Sequence, residues 1–202
     1  MILIGYSGHA LVVAETAIDN NLNIIGYTDN NKVTFNPFEL EYLGLENDEN
    51  FLLWKQEVSF ILGIGDNYIR QKVALLIESK HKIIETIVHS SASISKTVSI
   101  GSGTFINKNV SINAYAKIGK NVILNTACII EHECVISDNV HIAPGAVLAG
   151  NVHVGENSFV GANAVIKQGV TIGKDVIIGA GSVIITDIAD GLKVVGNPSR
   201  II

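Results

Sequence analysis

The chain has 202 residues, enough for one large domain or two small ones. Hydrophobic residues make up 48% and charged residues only 16%, yet no apolar run reaches the roughly 18 residues of a membrane span. The net charge of −5 is uneven: residues 1–87 carry 6 basic against 12 acidic side chains, and residues 88–202 carry 8 against 7. Neither part has the basic stripe that a nucleic-acid partner requires. The opening Met1-Ile2-Leu3-Ile4-Gly5 is short and lacks a basic flank, so it does not read as a signal peptide, and a cytoplasmic location is expected.

Taken in chain order, Ile2-Leu3-Ile4 predicts a short strand ending in the turn Gly5-Tyr6-Ser7-Gly8-His9. Residues 10–18 predict a helix with Ser7 as its cap. Ile24 to Thr28 predicts a second strand, closed by Asp29-Asn30. Strand, glycine turn, helix, strand and then an acidic residue is the layout of a nucleotide-binding βαβ unit. Only Gly5-x-x-Gly8 of the glycine fingerprint is present, so a plain glycine turn stands beside the nucleotide reading. Residues 31–57 read as irregular and acidic, with a surface loop or short helix around Phe51–Lys55. Val58 to Leu62 predicts a third strand, Gly63-Ile64-Gly65 a turn, and Asp66 or Asn67 the cap of an amphipathic helix with Ile69, Val73, Leu76 and Ile77 on one face. Ile83 to Ile87 predicts a fourth strand.

From Val88 the pattern changes. Blocks of six run to about Ala189, and the first residue of all seventeen, from Val88 to Ile184, is aliphatic. The fifth residues, such as Ala92, Val98, Cys128, Cys134 and Ser158, are mostly small. A period of six matches neither a helix nor a plain alternating strand. It matches short strands joined by corners and stacked as a parallel β-helix, with positions one and five both pointing inward. The two cysteines fall on inward fifth positions and read as small, reduced core residues. The expected division is residues 1–87 as a nucleotide-binding α/β domain, 88–189 as the β-helix and 190–202 as a tail.

The densest polar departure from the repeat is Ile130-Glu131-His132-Glu133-Cys134. Imidazole titrates near neutrality and suits a general base, and a neighbouring carboxylate fixes its tautomer. A solvated corner with incidental charges is the plainer alternative. His132 and His141 are nine residues apart, half of an 18-residue coil, so on one triangular prism they point in different directions.

Hexads such as Ile118-Gly119-Lys120-Asn121-Val122 resemble the left-handed parallel β-helix of the hexapeptide-repeat acyltransferases. The segment Asn125 to Ile136 is similar to the active-site segment of a subgroup that includes sialic acid O-acetyltransferases and UDP-4-amino-sugar N-acetyltransferases. Gly5-Tyr6-Ser7-Gly8-His9, Ile64 to Arg70 and Gly196-Asn197-Pro198-Ser199-Arg200 extend the resemblance over the whole chain, with Asp66 where asparagine is commoner. The resemblance implies a Rossmann-like N-terminal domain for the sugar nucleotide, a left-handed β-helix for acetyl-CoA, and a homotrimer with active sites between subunits. Carried over residue by residue, it implies His132 as general base and Glu133 as its orienting group. His141, Ala162, Gly179 and Ala180 would contact acetyl-CoA. Ser7, Gly8, His9, Asp29, Asn30 and Gly65 would hold the nucleotide, with Asn125 near the acceptor.

The expected reaction is transfer of acetyl from acetyl-CoA to the amino group of a nucleotide-linked 4-amino-4,6-dideoxy sugar, in bacterial surface glycan or glycoprotein sugar biosynthesis, without a metal. O-Acetylation of a sialic acid is the close rival. A β-helical zinc enzyme using His132, His141 and His153, or a non-catalytic nucleotide-binding scaffold, are further alternatives.

Overall fold

The structure, a computed structural model, describes residues 1–48 and 51–202. The chain opens with β1 (Ile2–Ile4), α1 (Gly8–Asp19), β2 (Gly26–Thr28), β3 (Glu41–Tyr42), a 3₁₀ turn (Leu52–Lys55), β4 (Phe60–Leu62) and α2 (Asn67–Ser79). The strands form one parallel sheet in the order β3-β2-β1-β4. β1, β2 and β4 are wholly buried, as expected of apolar strands covered on both sides. Gly63 is needed where β4 ends, because a Cβ there would lie 2.5 Å from the Ala10 side chain and 2.8 Å from the Gly5 carbonyl.

Three expectations change here. Ser7 occupies the N-cap position of α1, but its side chain makes no capping bond and stays exposed. In α2, by contrast, the Asp66 carboxylate does accept from the Ile69 N–H at 2.9 Å. The segment 31–57 is less irregular than its composition suggests, since Glu41–Tyr42 adds an edge strand beside β2. Ile83–Ile87 is not a fourth strand of this sheet. It touches β4 through a single bridge, Phe60 to Ile84, and then Ile87–Val88 (β5) pairs with Phe105–Ile106 as the first rung of the next structure.

That structure is a three-sided prism of two-residue parallel strands, each pairing with the strand 18 residues later. Its first face runs from Ser93–Ile94 to Val183–Ile184, its second from Ser99–Ile100 to Thr171–Ile172, and its third from β5 to Ile177–Ile178, extended by Lys193–Val195 and Arg200–Ile201. The first and fifth residues of the hexads fill the interior, forming one continuous core from Ile106 to Val194. Both cysteines are buried in it as free thiols, and desolvation pushes the Cys128 thiol up to about 12.

From Gly103 to Gly181 the fourth residue of every hexad has positive φ. Glycine, asparagine and aspartate tolerate that left-handed corner, and they hold most of these positions. The exceptions are Tyr115, Ala127 and Glu133. For such residues the conformation costs roughly 1–2 kcal/mol, so these corners work against the local preference.

The N-terminal α/β layer covers the lower part of the third face. Phe105 and Ile123, whose side chains point outward from the prism, are buried in the same cluster as Leu3, Ala10 and Tyr27. No helix among the described residues is long and apolar enough to cross a membrane.

Candidate active site

Two sites emerge. The first is a cleft of ≈ 800 Å³ in the α/β layer, at the carboxyl ends of β1, β2 and β4. Strand order reverses beside β1, and ligands of open α/β sheets bind outside the strand ends at such a point. Gly5, Ser7, Asp29, Asn30, Gly65 and Asp66 are among its lining residues. Gly8 lines an adjoining hollow that shares Ser7, Asp29 and Asn30. The Asp29 carboxylate is held by the Tyr6 N–H (2.8 Å) and the Asn30 N–H (2.7 Å), which fixes one anionic acceptor at the end of β2. The cleft thus gathers four of the six residues expected to hold a nucleotide, with Gly8 next door. Lys72 of α2 also lines it and was not singled out from the sequence.

The sixth of those residues to consider in detail is His9, which faces elsewhere. Its ring lies edge-on to Phe105 at 5.5 Å and 6.3 Å from the ring of His141, centre to centre. It is thus a residue of the joint between α/β layer and prism, and its Nε2 is buried without a hydrogen-bond partner among the described residues. His141 stands on the third face, against Phe159 at 5.1 Å. One of its ring nitrogens, Nε2, is 3.3 Å from the Asn125 amide nitrogen. Burial lowers His9 to about 4, with the charge of Arg70 adding to the effect. Burial lowers His141 to about 3, followed by the charges of Arg70 and His9, while the Gly65 carbonyl opposes the shift. Both rings are therefore neutral at physiological pH. Asn125, expected near the acceptor, lies beside His141 within one chain.

The second site is the corner between the first and second faces, where His132 projects into solvent with its side chain 51% exposed. Its Nδ1 is 3.1 Å from Glu133 Oε2. The left-handed backbone of Glu133 turns that carboxylate back toward the ring it follows in sequence. One coil further on, Gly150 lies under the imidazole, and a Cβ there would come within 2.5 Å of His132 Nε2. Gly150 is therefore part of the site, and nothing local in its own hexad marks it: only the 18-residue stacking places it there. Its N–H has no partner among the described residues.

Ala162, Gly179 and Ala180 lie on a different corner, between the third and first faces. Gly161 joins them, because a Cβ there would run into the backbone of Gly179 and Ala180 at about 2.5 Å. Within one chain this smooth column and His132 sit at opposite edges of the first face. His132, His141 and His153 lie on a corner, the third face and the second face, so they do not converge as a ligand set. No cluster of three metal-binding side chains occurs among the described residues.

The PglD N-terminal domain family matches residues 1–76, and the bacterial transferase hexapeptide (six repeats) family matches residues 133–168 and 151–186. The chain is similar to the GDP-perosamine N-acetyltransferase PerB of Caulobacter crescentus, solved with CoA and GDP-perosamine. They share 32% identity over 100% of this chain and 96% of that one, with a TM-score of 0.93. Two further structures of that protein carry a single substituted histidine. The acetyltransferase domain of PglB from Neisseria gonorrhoeae is 31% identical over 100% of this chain and 98% of that one, with a TM-score of 0.89. It has also been solved with acetyl coenzyme A. WeeI from Acinetobacter baumannii is 26% identical over the same shares, with a TM-score of 0.88. A search of the curated proteins found no match. The chain belongs to the hexapeptide-repeat acyltransferase family. Within it, the chain falls among the sugar N-acetyltransferases that join a PglD-type N-terminal domain to the β-helix, and it is an enzyme of that class.

Proposed function

We propose that the protein transfers acetyl from acetyl-CoA to the amino group of a nucleotide-linked 4-amino-4,6-dideoxy sugar, with His132 as general base. The observation that carries this reading is the His132 corner: an exposed imidazole whose Nδ1 is held by Glu133 and whose Nε2 sits over Gly150. A carboxylate on Nδ1 keeps the proton there and leaves Nε2 as the acceptor. His132 Nε2 takes a proton from the sugar amine as its nitrogen attacks the thioester carbonyl. The C–S bond then breaks, and the imidazolium returns the proton to the departing CoA sulfur. The free Gly150 N–H, beside the ring, is the group suited to hold the developing oxyanion.

The cleft at the strand ends would hold the nucleotide, with Asp29 accepting from ribose hydroxyls and the N-terminus of α1 near the phosphates. His141, Ala162, Gly179 and Ala180 would line the coenzyme path, with Asn125 beside them. In this division residues 1–87 serve the sugar nucleotide, residues 88–189 the coenzyme and the chemistry, and 190–202 form a tail, in a cytoplasmic enzyme.

The site is completed by a homotrimer. The first face exposes a column of aliphatic side chains, Ile129, Val147, Val165 and Val183, with Val165 at 42% exposure. His132 lies at one edge of that column and the Ala162–Ala180 corner at the other. A neighbouring prism packed here covers the column and brings one chain's base to the other's coenzyme corner. The test is thiol release from acetyl-CoA with UDP-linked and GDP-linked 4-amino sugars and with free sialic acid. Turnover of sialic acid alone would replace amine by hydroxyl as the acceptor. Mixed trimers of His132→Ala and His141→Ala chains should regain activity, and a fully active monomer would end the interface reading.

A further inference from the structure

We propose that Arg70 is a positioning residue that ties the nucleotide cleft to His141, so that the two halves of the site keep one register. It is 1% exposed and is the largest fully buried side chain among the described residues, none of whose carboxylates is bonded to it. Backbone carbonyls take that place. Arg70 Nε donates to Asn121 O (2.8 Å), Nη1 to Gly65 O (3.0 Å) and Ile64 O (3.3 Å), and Nη2 to Asn139 O (2.8 Å), with the Asn67 side-chain oxygen also at 2.8 Å. A guanidinium offers five N–H groups in a rigid fork, which a lysine ammonium cannot reproduce. Burial lowers its pKa to about 10, so it is cationic at neutral pH.

The acceptors explain the geometry. At the corner between second and third faces, each left-handed residue gives its N–H to the coil before it: Asn121 to Ser102, Asn139 to Lys120 and Asn157 to Asp138. The carbonyls of Asn121, Asn139 and Asn157 have no partner within the prism. Arg70 takes the first two, and the Asn67 amide takes the third at 2.8 Å. The first turn of α2 thus grips three successive coils. The same guanidinium holds the carbonyl of Gly65, which lines the cleft, and those of Asn139 (2.8 Å) and Val140 (3.5 Å), the two residues before His141. One cation therefore connects cleft wall, coil register and the orientation of His141.

This inference rests on the acetyl-transfer reading, and its test separates the two. Wild-type enzyme must first release CoA with an amino-sugar nucleotide; failure there sinks the functional reading alone. Full-length Arg70→Lys is then compared for kcat and for the KM of each substrate. The expected result is a KM for the sugar nucleotide raised about fivefold, a KM for acetyl-CoA, which His141 is proposed to contact, raised by a similar factor, and kcat lowered about tenfold. In a double-mutant cycle, Arg70→Lys and His141→Ala together should lose less than the product of their separate losses, by about fivefold or more. Wild-type kinetics with only a lowered Tm would reduce Arg70 to a rivet and overturn the proposal, as would independent, multiplicative losses. If Arg70→Lys does not fold, Asn67→Ala removes one acceptor and one grip while keeping the cation. It should show the same split at smaller amplitude, and unchanged KM values there would overturn the proposal.

Discussion

His132 and His141 share a side chain and almost nothing else. His132 stands on a solvent-facing corner, bound to one carboxylate and otherwise open. His141 is closed in between prism and α/β layer, among His9, Phe159, Asn125 and the charge of Arg70. In the proposed reaction the open ring takes the amine proton and passes it on. The enclosed ring is held neutral, with burial as the main cause, and serves as a fixed hydrogen-bonding partner. The same fold thus supports two histidine chemistries by changing only what covers the ring.

The largest test of that contrast is His132→Ala, which should lower kcat/KM by on the order of 10²–10⁴, read as thiol release, with folding unchanged. A residue at the open corner that never touches a proton comes next. Gly150→Ala puts a methyl where the imidazole lies and should displace it, lowering kcat by about 10²-fold while the melting temperature moves little. Glu133→Gln keeps the shape but removes the charge that sets the tautomer, and a loss of about tenfold in kcat is expected.

The enclosed pair predicts an effect on stability instead. Folded pKa values of about 4 for His9 and about 3 for His141 lie below the unfolded value near 6.5. The unfolded chain therefore binds more protons in acid. The contribution is fully present above pH 6.5 and is lost as pH falls toward 4 and then 3, at up to about 1.4 kcal/mol per pH unit for each ring. Denaturant titrations between pH 7 and 4 should show this slope, flattened in His9→Phe. The smallest effect belongs to His153, exposed on the second face, where His153→Ala should leave kcat and both KM values unchanged.

The prism was legible because its information is local and repeated. An aliphatic residue every sixth position specifies the interior, and glycine, asparagine or aspartate at the fourth position specifies the corner. The His132 corner was legible for the opposite reason: it breaks the repeat. The joint around His9 was not legible, because Phe105 and His141 meet it only after the α/β layer folds onto the third face. Arg70 entered only as the last residue of the Ile64–Arg70 segment that carries the resemblance, and its partners are carbonyls, which carry no side-chain signature. The edge strand Glu41–Tyr42 escaped notice because two residues show no periodicity, while Ile83–Ile87 looked like a strand yet divides its bonds between two structures.

The pairing of each strand with the one 18 residues later makes the prism a ruler with fixed graduations. Adding six residues between His132 and Ala162 would turn everything downstream by one face and carry the Ala162–Ala180 corner away from the aliphatic column. Adding 18 would keep every corner in place and merely lift it by about 4.8 Å, the spacing of neighbouring strands. Length changes in this part of the chain are therefore tolerable only in whole coils. Within that limit, the distance between the His132 corner and the Ala162–Ala180 corner can be altered in steps without redesigning either.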